Sequence, residues 1–303
     1  MSRSAFAVLL ACAGMLGLPH PAGAHVVAGA RVFPVTLTFD DPGVGDEVTL
    51  PQIVVQPGAG GQTETSIQWE YDKRITPMTA LIYNQGYDIL HTPGAKTQTG
   101  LENAFLTGKW QAITIPSTES VVSLGVIQEF SGGPATQAVG GDAFGATAPT
   151  IYAGQGGGFL PWPMLRPLAV TGEVNYVIAN RRLNSDEDNG GNPNALTAGL
   201  SVQYSIPYLQ SQVKDYHLPD FIGRMIPLVE FTWYTPTEAP ASGQPSTLTI
   251  APGVIYLADT YQVGLEALIP GNRAAGPHVG AILQVHFFLD DLLPNSLGKP
   301  LFP

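Results

Sequence analysis

Polar side chains recur at every second position within stretches of the chain that are otherwise apolar. In residues 168–178 (LAVTGEVNYVI), for example, Glu173 falls on the face opposite Val170, Val174 and Tyr176. A period of two indicates a β-strand with one apolar and one polar face. If such polar faces line one lumen, their charges select among solutes as charged rings do in pores. The candidate lumen residues are Glu70, Lys109, Glu129, Glu173, Gln203, Glu230, Glu266, Gln284 and His286.

Acidic side chains dominate this set, and Lys109 is its main basic member. A lumen with such a lining would favour cations or neutral solutes over anions. The alternative interpretation is that these side chains are only the hydrated face of each strand.

His25 is a candidate metal ligand, because cleavage after residues 22–24 (AGA) would make it the first residue of the exported chain. An α-amine and an imidazole together can chelate Cu(II) through two nitrogen atoms. The alternative is an incidental histidine at a frayed terminus. A second histidine would be needed, and no local ligand spacing is offered by His91, His217, His278 or His286.

Motifs of common catalytic sites are missing from the sequence. It contains no G-x-S-x-G, H-E-x-x-H or C-x-x-C, and nothing in the spacing supports a Ser123–His286 pair. Residues 184–190 (NSDEDNG) resemble a calcium loop, but the glycine is one place late and no glutamate closes it. A solvated surface loop is the simpler interpretation. We therefore expect a protein that is not an enzyme and that has no cofactor.

The N-terminus has the pattern of an export signal. Arg3 precedes an apolar run and the small-x-small site at residues 22–24, which predicts a secretory signal peptide over residues 1–24. Cys12, the only cysteine, lies within it, so the exported chain would have no disulfide. A lipoprotein signal ending at Cys12 is the alternative.

Composition narrows the classes of protein further. The net charge is −11 and no basic patch exists, which argues against a nucleic-acid partner. Only 12% of the residues are charged and the mean hydropathy is +0.12, yet no later run of ~20 apolar residues could form a transmembrane helix. An exported chain that is apolar without such helices is typical of an outer-membrane barrel.

Segments with two-residue alternation recur along the whole chain. We expect about 12 strands of about ten residues, the length that crosses a bilayer at a tilt. The first is predicted within residues 25–39, where Phe33, Val35, Leu37 and Phe39 share a face. Short and long connections alternate along most of the chain. The prediction is an all-β fold, a transmembrane antiparallel β-barrel with short periplasmic turns and long outer loops.

The chain is accordingly divided into four parts. After the signal peptide, residues 25–61 would hold an N-terminal strand and a loop or plug, residues 62–291 the barrel, and residues 292–303 a C-terminal tail. Aromatic side chains near strand ends would form interfacial girdles, and these are Trp110, Tyr204, Tyr208, Trp233, Tyr256 and Tyr261.

Three stretches carry a resemblance to a known family. They are residues 100–111 (GLENAFLTGKWQ), residues 148–154 (APTIYAG) with 168–176, and residues 250–256 (IAPGVIY) with 262–270. In pattern they resemble the outer-membrane proteins of the meta-pathway of phenol degradation, transporters related to hydrophobic-substrate channels. The resemblance implies uptake of small hydrophobic or aromatic molecules. It does not extend to the N-terminal part of the exported chain or to the tail beyond residue 292.

We therefore expect an outer-membrane channel or transporter of a Gram-negative bacterium, used for passive uptake of small solutes. Its partners would be outer-membrane lipid, lipopolysaccharide and a small-molecule solute. One alternative is a soluble β-sandwich, periplasmic or secreted, that binds carbohydrate or copper and hides its apolar faces between two sheets. Another is a structural outer-membrane barrel with a lumen filled by side chains.

Overall fold

The computed structural model describes residues 26–181, 192–237 and 245–303, and its regular structure is mostly β. Among these residues, no helix has the length and hydropathy needed to span a membrane. The helical turns are Ala59–Gly61, Pro116–Thr118, Pro134–Ala138, Pro163–Leu165, Ile206–Tyr208, Leu209–Val213, Asp220–Gly223, Arg273–Ala275 and Leu289–Leu292. The strands are β1 (Val26–Ala28), β2 (Arg31–Phe33), β3 (Glu47–Pro57), β4 (Thr63–Thr76), β5 (Thr79–His91), β6 (Gln98–Leu101), β7 (Ala104–Ile115), β8 (Ser120–Phe130), β9 (Ala146–Gly156), β10 (Leu168–Ala179), β11 (Ala195–Tyr204), β12 (Met225–Pro236), β13 (Thr247–Leu257), β14 (Tyr261–Pro270) and β15 (Gly280–Phe288).

Strands β3 to β15 form one antiparallel sheet that closes on itself. β3 pairs with β4 on one side and with β15, the last strand, on the other. β6 and β7 pair with different ends of β5, so together they fill one position in the wall. The predicted closed antiparallel barrel of 12 strands is thereby confirmed. One closed sheet has no second sheet to pack against, so the β-sandwich alternative is wrong.

The prediction of a wall strand within residues 25–39 is wrong, although the predicted number of strands is right. β1 and β2 pair only with each other, and the first wall strand is β3. β3 lies in a stretch that was predicted to be either a loop or a plug. The barrel therefore begins at Glu47 and not at residue 62. The alternation of Phe33, Val35, Leu37 and Phe39 comes from packing against the inside of the barrel.

The barrel has two distinguishable ends. At the end that we call the turn end, β4–β5, β7–β8 and β13–β14 are joined by short links, whereas residues 157–167 and 205–224 make longer ones. At the opposite end, which we call the loop end, most links are long, except the short link from β3 to β4. β3 starts and β15 finishes at the turn end, so both termini of the barrel lie there.

The outer face of the wall is apolar. Within the described strands, every Asp, Glu and Arg of β3–β15 points to the inside of the barrel. Outward residues that are more than one-third exposed include Ile67, Tyr71, Leu81, Tyr83, Tyr87, Leu106, Trp110, Ile113, Leu124, Val126, Phe130, Ile151, Val170, Val174, Tyr176, Ile178, Leu196, Leu200, Val202, Trp233, Tyr261, Leu265, Ile269 and Leu283. A belt of this extent is far larger than the apolar patches that monomeric soluble proteins expose to water.

The tail after β15 folds back across the turn end. Its backbone carbonyl groups at Leu297 and Lys299 each accept a hydrogen bond from Lys73 Nζ at 2.8 Å, and Phe302 N donates to the Ile75 carbonyl at 2.8 Å. The tail is thus held against the C-terminal end of β4.

Candidate functional site

Residues 26–46, which we call the luminal segment, lie inside the barrel. Gln262 of β14 donates to the Val35 carbonyl at 2.8 Å, and Gln284 of β15 donates to the Thr36 carbonyl at 3.3 Å. The carboxylate of Glu230 on β12 accepts from Thr38 N at 2.8 Å. Extended backbone leaves its amide and carbonyl groups without strand partners, and these inward side chains satisfy them.

Apolar side chains of the luminal segment pack on the inner wall. Leu37 forms a buried cluster with Ile226, Leu228, Ala251, Ile255, Leu268 and Ile282. Leu268 is an apolar residue on the inner face of β14, which also carries Gln262 and Glu266, and it belongs to this buried cluster. Phe39 packs over Gly199, where a Cβ atom would lie 2.3 Å from the phenyl Cγ. The inner face is therefore part apolar, because it receives the luminal segment.

Arg31 anchors the first hairpin of the luminal segment at the turn end. Its Nε lies 3.1 Å from Glu119 Oε2, and its guanidinium also donates to the carbonyl groups of Arg166 and Pro167. The ring of Tyr208 stacks 3.8 Å from the guanidinium, and the Tyr208 hydroxyl donates to Glu119 at 2.7 Å. Burial lowers the pKa of Arg31, and Glu119 opposes this. Tyr208 was predicted to lie in an interfacial girdle, but it is buried in this contact.

Further ion pairs hold the returning half of the luminal segment. Lys109 of β7 lies 2.6 Å from Asp40 and donates to the Asp41 carbonyl at 3.0 Å. Asp46 lies 2.7 Å from Arg74, which in turn lies 2.7 Å from Asp290 beyond β15. Every one of these charges is partnered, as buried charges must be to offset desolvation.

Asp41 is the buried acid of this turn. It is 5% exposed, and its Oδ1 accepts from Gly43 N at 2.6 Å. Burial raises the pKa of Asp41 to about 7, Lys109 and the Gly43 amide lower it, and Asp40 and Glu47 raise it further.

A cavity of about 460 Å³ lies on the loop-end side of the luminal segment, with Val35 to Asp40 among its lining residues. Among the described residues that line it there is no Lys, Arg or His. Phe39 and Phe105 contribute rings, and the acidic lining residues are Asp40, Glu70, Glu102, Glu129 and Glu173.

Four of the five acids are held by neutral amide donors. Gln68 donates to Glu102 at 3.1 Å, Asn103 to Glu129 at 2.6 Å and Asn175 to Glu173 at 3.0 Å, and Asn84 donates to Glu70. An amide fixes the orientation of a carboxylate without neutralising its charge. The cavity can therefore attract a cation, and its rings can cover an apolar part of a solute.

All nine predicted lumen residues lie on the inner face, but they do not form one site. Glu70, Glu129, Glu173 and Gln284 line the cavity. Lys109 and Glu230 contact the luminal segment, Gln203 bonds to Thr171 and Ser201, and His286 contacts Thr49 and Glu47. Glu266 is buried beside Glu230, and neither carboxylate oxygen has a partner among the described residues.

Sequence reasoning missed several residues of the site. Glu102 follows β6 in a break within the wall, where strand alternation does not apply, and Asp40 lies in the luminal segment, outside the wall strands. Arg31 and Glu119 are 88 positions apart. The sequence did contain one signal for this pair. Basic residues are scarce in the chain, and an arginine within an apolar exported segment requires a partner when it is buried.

Other candidate chemistry is either not assembled or lies outside the described residues. Ser123 donates to the Pro42 carbonyl, so it does not pair with His286. Residues 26–181, 192–237 and 245–303 contain no group of three potential metal ligands. His25 and the loop at residues 184–190 fall outside those ranges.

Comparisons with known proteins find distant likeness in structure. No protein-family model matches the chain, and no curated protein matches it significantly. The NanC porin is 10% identical, with a TM-score of 0.47 over 78% of this chain and 98% of that one. OmpF of Salmonella typhi, in complex with daunomycin, is 10% identical, with a TM-score of 0.33 over 80% of this chain and 96% of that one. CdiB from Acinetobacter baumannii is 8% identical, with a TM-score of 0.35 over 80% of this chain and 60% of that one.

Proposed function

We propose that the protein is an outer-membrane channel for passive uptake of small solutes. One observation carries the proposal: in the described strands, an outer face without acidic or arginine side chains surrounds a lumen that holds a cavity of about 460 Å³. In lipid, a closed sheet satisfies every backbone group and an apolar belt meets the acyl chains. The turn end would face the periplasm, and the loop end the lipopolysaccharide.

The cavity supports a preference for cationic or neutral solutes. Glu70, Glu102, Glu129 and Glu173 present their carboxylates without a basic group in the lining. Anions entering from the loop end would meet this charge first. The sequence resemblance to transporters of phenol-degradation pathways adds hydrophobic or aromatic molecules to the candidate solutes, and Phe39 and Phe105 are suited to contact them.

Passage through the barrel requires the luminal segment to move. It fills the turn-end side of the lumen, where it bonds to Glu230, Gln262 and Gln284 and packs on Gly199 and Gly264. We propose that it acts as a plug, and that solute crosses when it is displaced towards the turn end, where its last residue leads into β3.

A disulfide lock tests this proposal. Phe39→Cys with Gly199→Cys brings two sulfur atoms within bonding range, because a Cβ atom at Gly199 would lie 2.3 Å from Phe39 Cγ. The only native cysteine, Cys12, lies in the predicted signal peptide. The oxidised double variant should conduct poorly in planar bilayers, and reductant should restore conductance. Each single variant is the matched control and should not respond to reductant.

A second candidate function is a non-conducting structural barrel. The observation in its favour is the density of buried contacts around the luminal segment, including the Arg31–Glu119 and Arg74–Asp46 pairs. Absence of conductance from the native chain and from every reduced variant would select it. Equal conductance of the locked and reduced forms would reject the luminal segment as the gate. A chain that shows no heat-dependent gel shift and is released by carbonate would overturn the membrane location itself.

A further inference from the structure

Two turn-end connections carry exposed apolar side chains outside the strands. Residues 159–165 (FLPWPML) contain no charged residue, and Phe159, Trp162 and Met164 are 60%, 63% and 49% exposed. In the connection from β11 to β12, Phe221 is 63% exposed. We call residues 159–165 and 216–222 together the turn-end shelf.

The turn-end shelf lies against the outer side of the wall. The outward side chain of Tyr204 donates to the Met164 carbonyl at 3.2 Å, and the Tyr216 hydroxyl contacts Met164 Sδ at 3.7 Å. Phe221 stacks on Tyr256, an outward residue of β13, with ring centroids 5.5 Å apart. The exposed apolar side chains therefore adjoin the apolar belt of the strands, and the exposed polar groups of the shelf, His217 and Asp220, lie in its second connection.

We propose that the turn-end shelf lies in the interfacial region of the adjoining bilayer leaflet, in contact with phospholipid. The proposal rests on the membrane location proposed above. Three features support lipid as the occupant: continuity with the belt, the absence of charge in residues 159–165, and the concentration of Trp, Tyr and Phe. Aromatic rings are favoured at the boundary between acyl chains and headgroups, and apolar loop residues exposed there are removed from water.

The inner ends of the same two connections contact the luminal segment. The carbonyl groups of Arg166 and Pro167 accept from Arg31, and Tyr208 stacks on its guanidinium. The shelf thus anchors, at the membrane interface, the two connections that surround Arg31. This role explains why both connections are long, although a periplasmic turn is expected to be short.

Tryptophan fluorescence in brominated lipid tests the inference. The chain has four tryptophans, so one full-length variant retains only Trp162 and a matched one retains only Trp110, which points outward from β7. In vesicles, Trp162 emission should shift to the blue, should be quenched most by phosphatidylcholine brominated near the headgroup, and should resist aqueous acrylamide. Trp110 should also be quenched by brominated lipid, because it lies in the belt.

The outcomes are distinct. If acrylamide quenches Trp162 while brominated lipid quenches Trp110, the proposal that the shelf contacts phospholipid is overturned and the membrane location stands. Trp162 protected from both quenchers would place a protein, such as a second copy, on the shelf and would also overturn the inference. Loss of lipid quenching at both positions would overturn the membrane location. If a variant loses its heat-dependent gel shift, Trp162→Cys labelled with a nitroxide gives the same answer from its accessibility to oxygen and to a nickel chelate.

Discussion

The guanidinium of Arg31 and the carboxylate of Glu119 meet at 3.1 Å across 88 positions of sequence, in a pocket where Arg31 has no exposed surface. Glu119 lies in the turn between β7 and β8 with a φ of 54°, a left-handed conformation that a glutamate adopts only where its surroundings favour it. Its carboxylate also accepts from Gly158 N at 3.0 Å and from the Tyr208 hydroxyl. One ion pair therefore joins the luminal segment to three turn-end connections.

Removing the charge of Arg31 should release the luminal segment. Arg31→Met leaves Glu119 buried without its cation, and breaking such a pair typically costs about 3–5 kcal/mol. We expect longer open times in planar bilayers and faster proteolytic cleavage within residues 26–46.

The control for this change is Arg224→Met. Arg224 pairs with Asp220 and Asp259, both highly exposed, at the same end of the barrel. Exposed pairs contribute about 0–1 kcal/mol, so conductance and cleavage should stay as in the native chain. Equal effects of the two variants would contradict a latch at Arg31.

A side chain added under the luminal segment should displace it. At Gly264 of β14, a Cβ atom would lie 2.6 Å from Leu37 Cδ1, so Gly264→Val overfills the contact at a cost of about 1–3 kcal/mol. Gly108→Val is the matched control, because a Cβ atom there meets nothing within 4 Å. We expect increased conductance from the first variant only. A Gly264→Val barrel that conducts like Gly108→Val would mean that Leu37 does not seal the lumen.

The wall was predictable because a strand in a barrel repeats one physical rule. Lipid outside and a polar interior impose strict alternation, which is why residues such as Glu173 and Glu266 could be assigned to the inner face from sequence. The closed sheet and the number of its strands followed from the same pattern, although β3 was not recognised as a wall strand.

The luminal segment could not be predicted in the same way. Its alternation of Phe33, Val35, Leu37 and Phe39 is identical to that of a wall strand, but its apolar side chains meet the inner wall instead of lipid. A two-residue period shows that one face of a segment is apolar. It does not show whether lipid or protein covers that face. Two amide partners were equally hidden: the register of β4 with β5 brings Asn84 to Glu70, and Asn103, just ahead of β7, meets Glu129 of β8. Asn175, in contrast, lies two positions after Glu173 on the same face of β10.

The cavity acids should set ion selectivity in the open state. Replacing Glu70, Glu102, Glu129 and Glu173 together by Gln keeps their size and removes charge that no basic lining residue balances. We expect the reversal potential under a potassium chloride gradient to move from the cation side towards zero. Asp259→Asn, at the exposed turn-end link, should leave it unchanged. A reversal potential that the fourfold variant does not alter would assign selectivity elsewhere.

Acid should favour the seated luminal segment through Asp41. Burial, with Asp40 and Glu47, raises its pKa from 3.8 to about 7 although Lys109 opposes this. The seated state therefore binds the proton more tightly than the released, solvated one. Protonated Asp41 therefore stabilises the seated state. This stabilisation is complete below the ordinary pKa of 3.8 and is lost as the pH rises through about 7. We expect open probability to increase between about pH 5 and about pH 8. Asp41→Asn cannot ionise but keeps an acceptor for Gly43 N, so it should stay mostly closed at both values. If the Asp41→Asn channel keeps the full pH response, the titrating group is another acid of the lumen, and seating does not depend on Asp41.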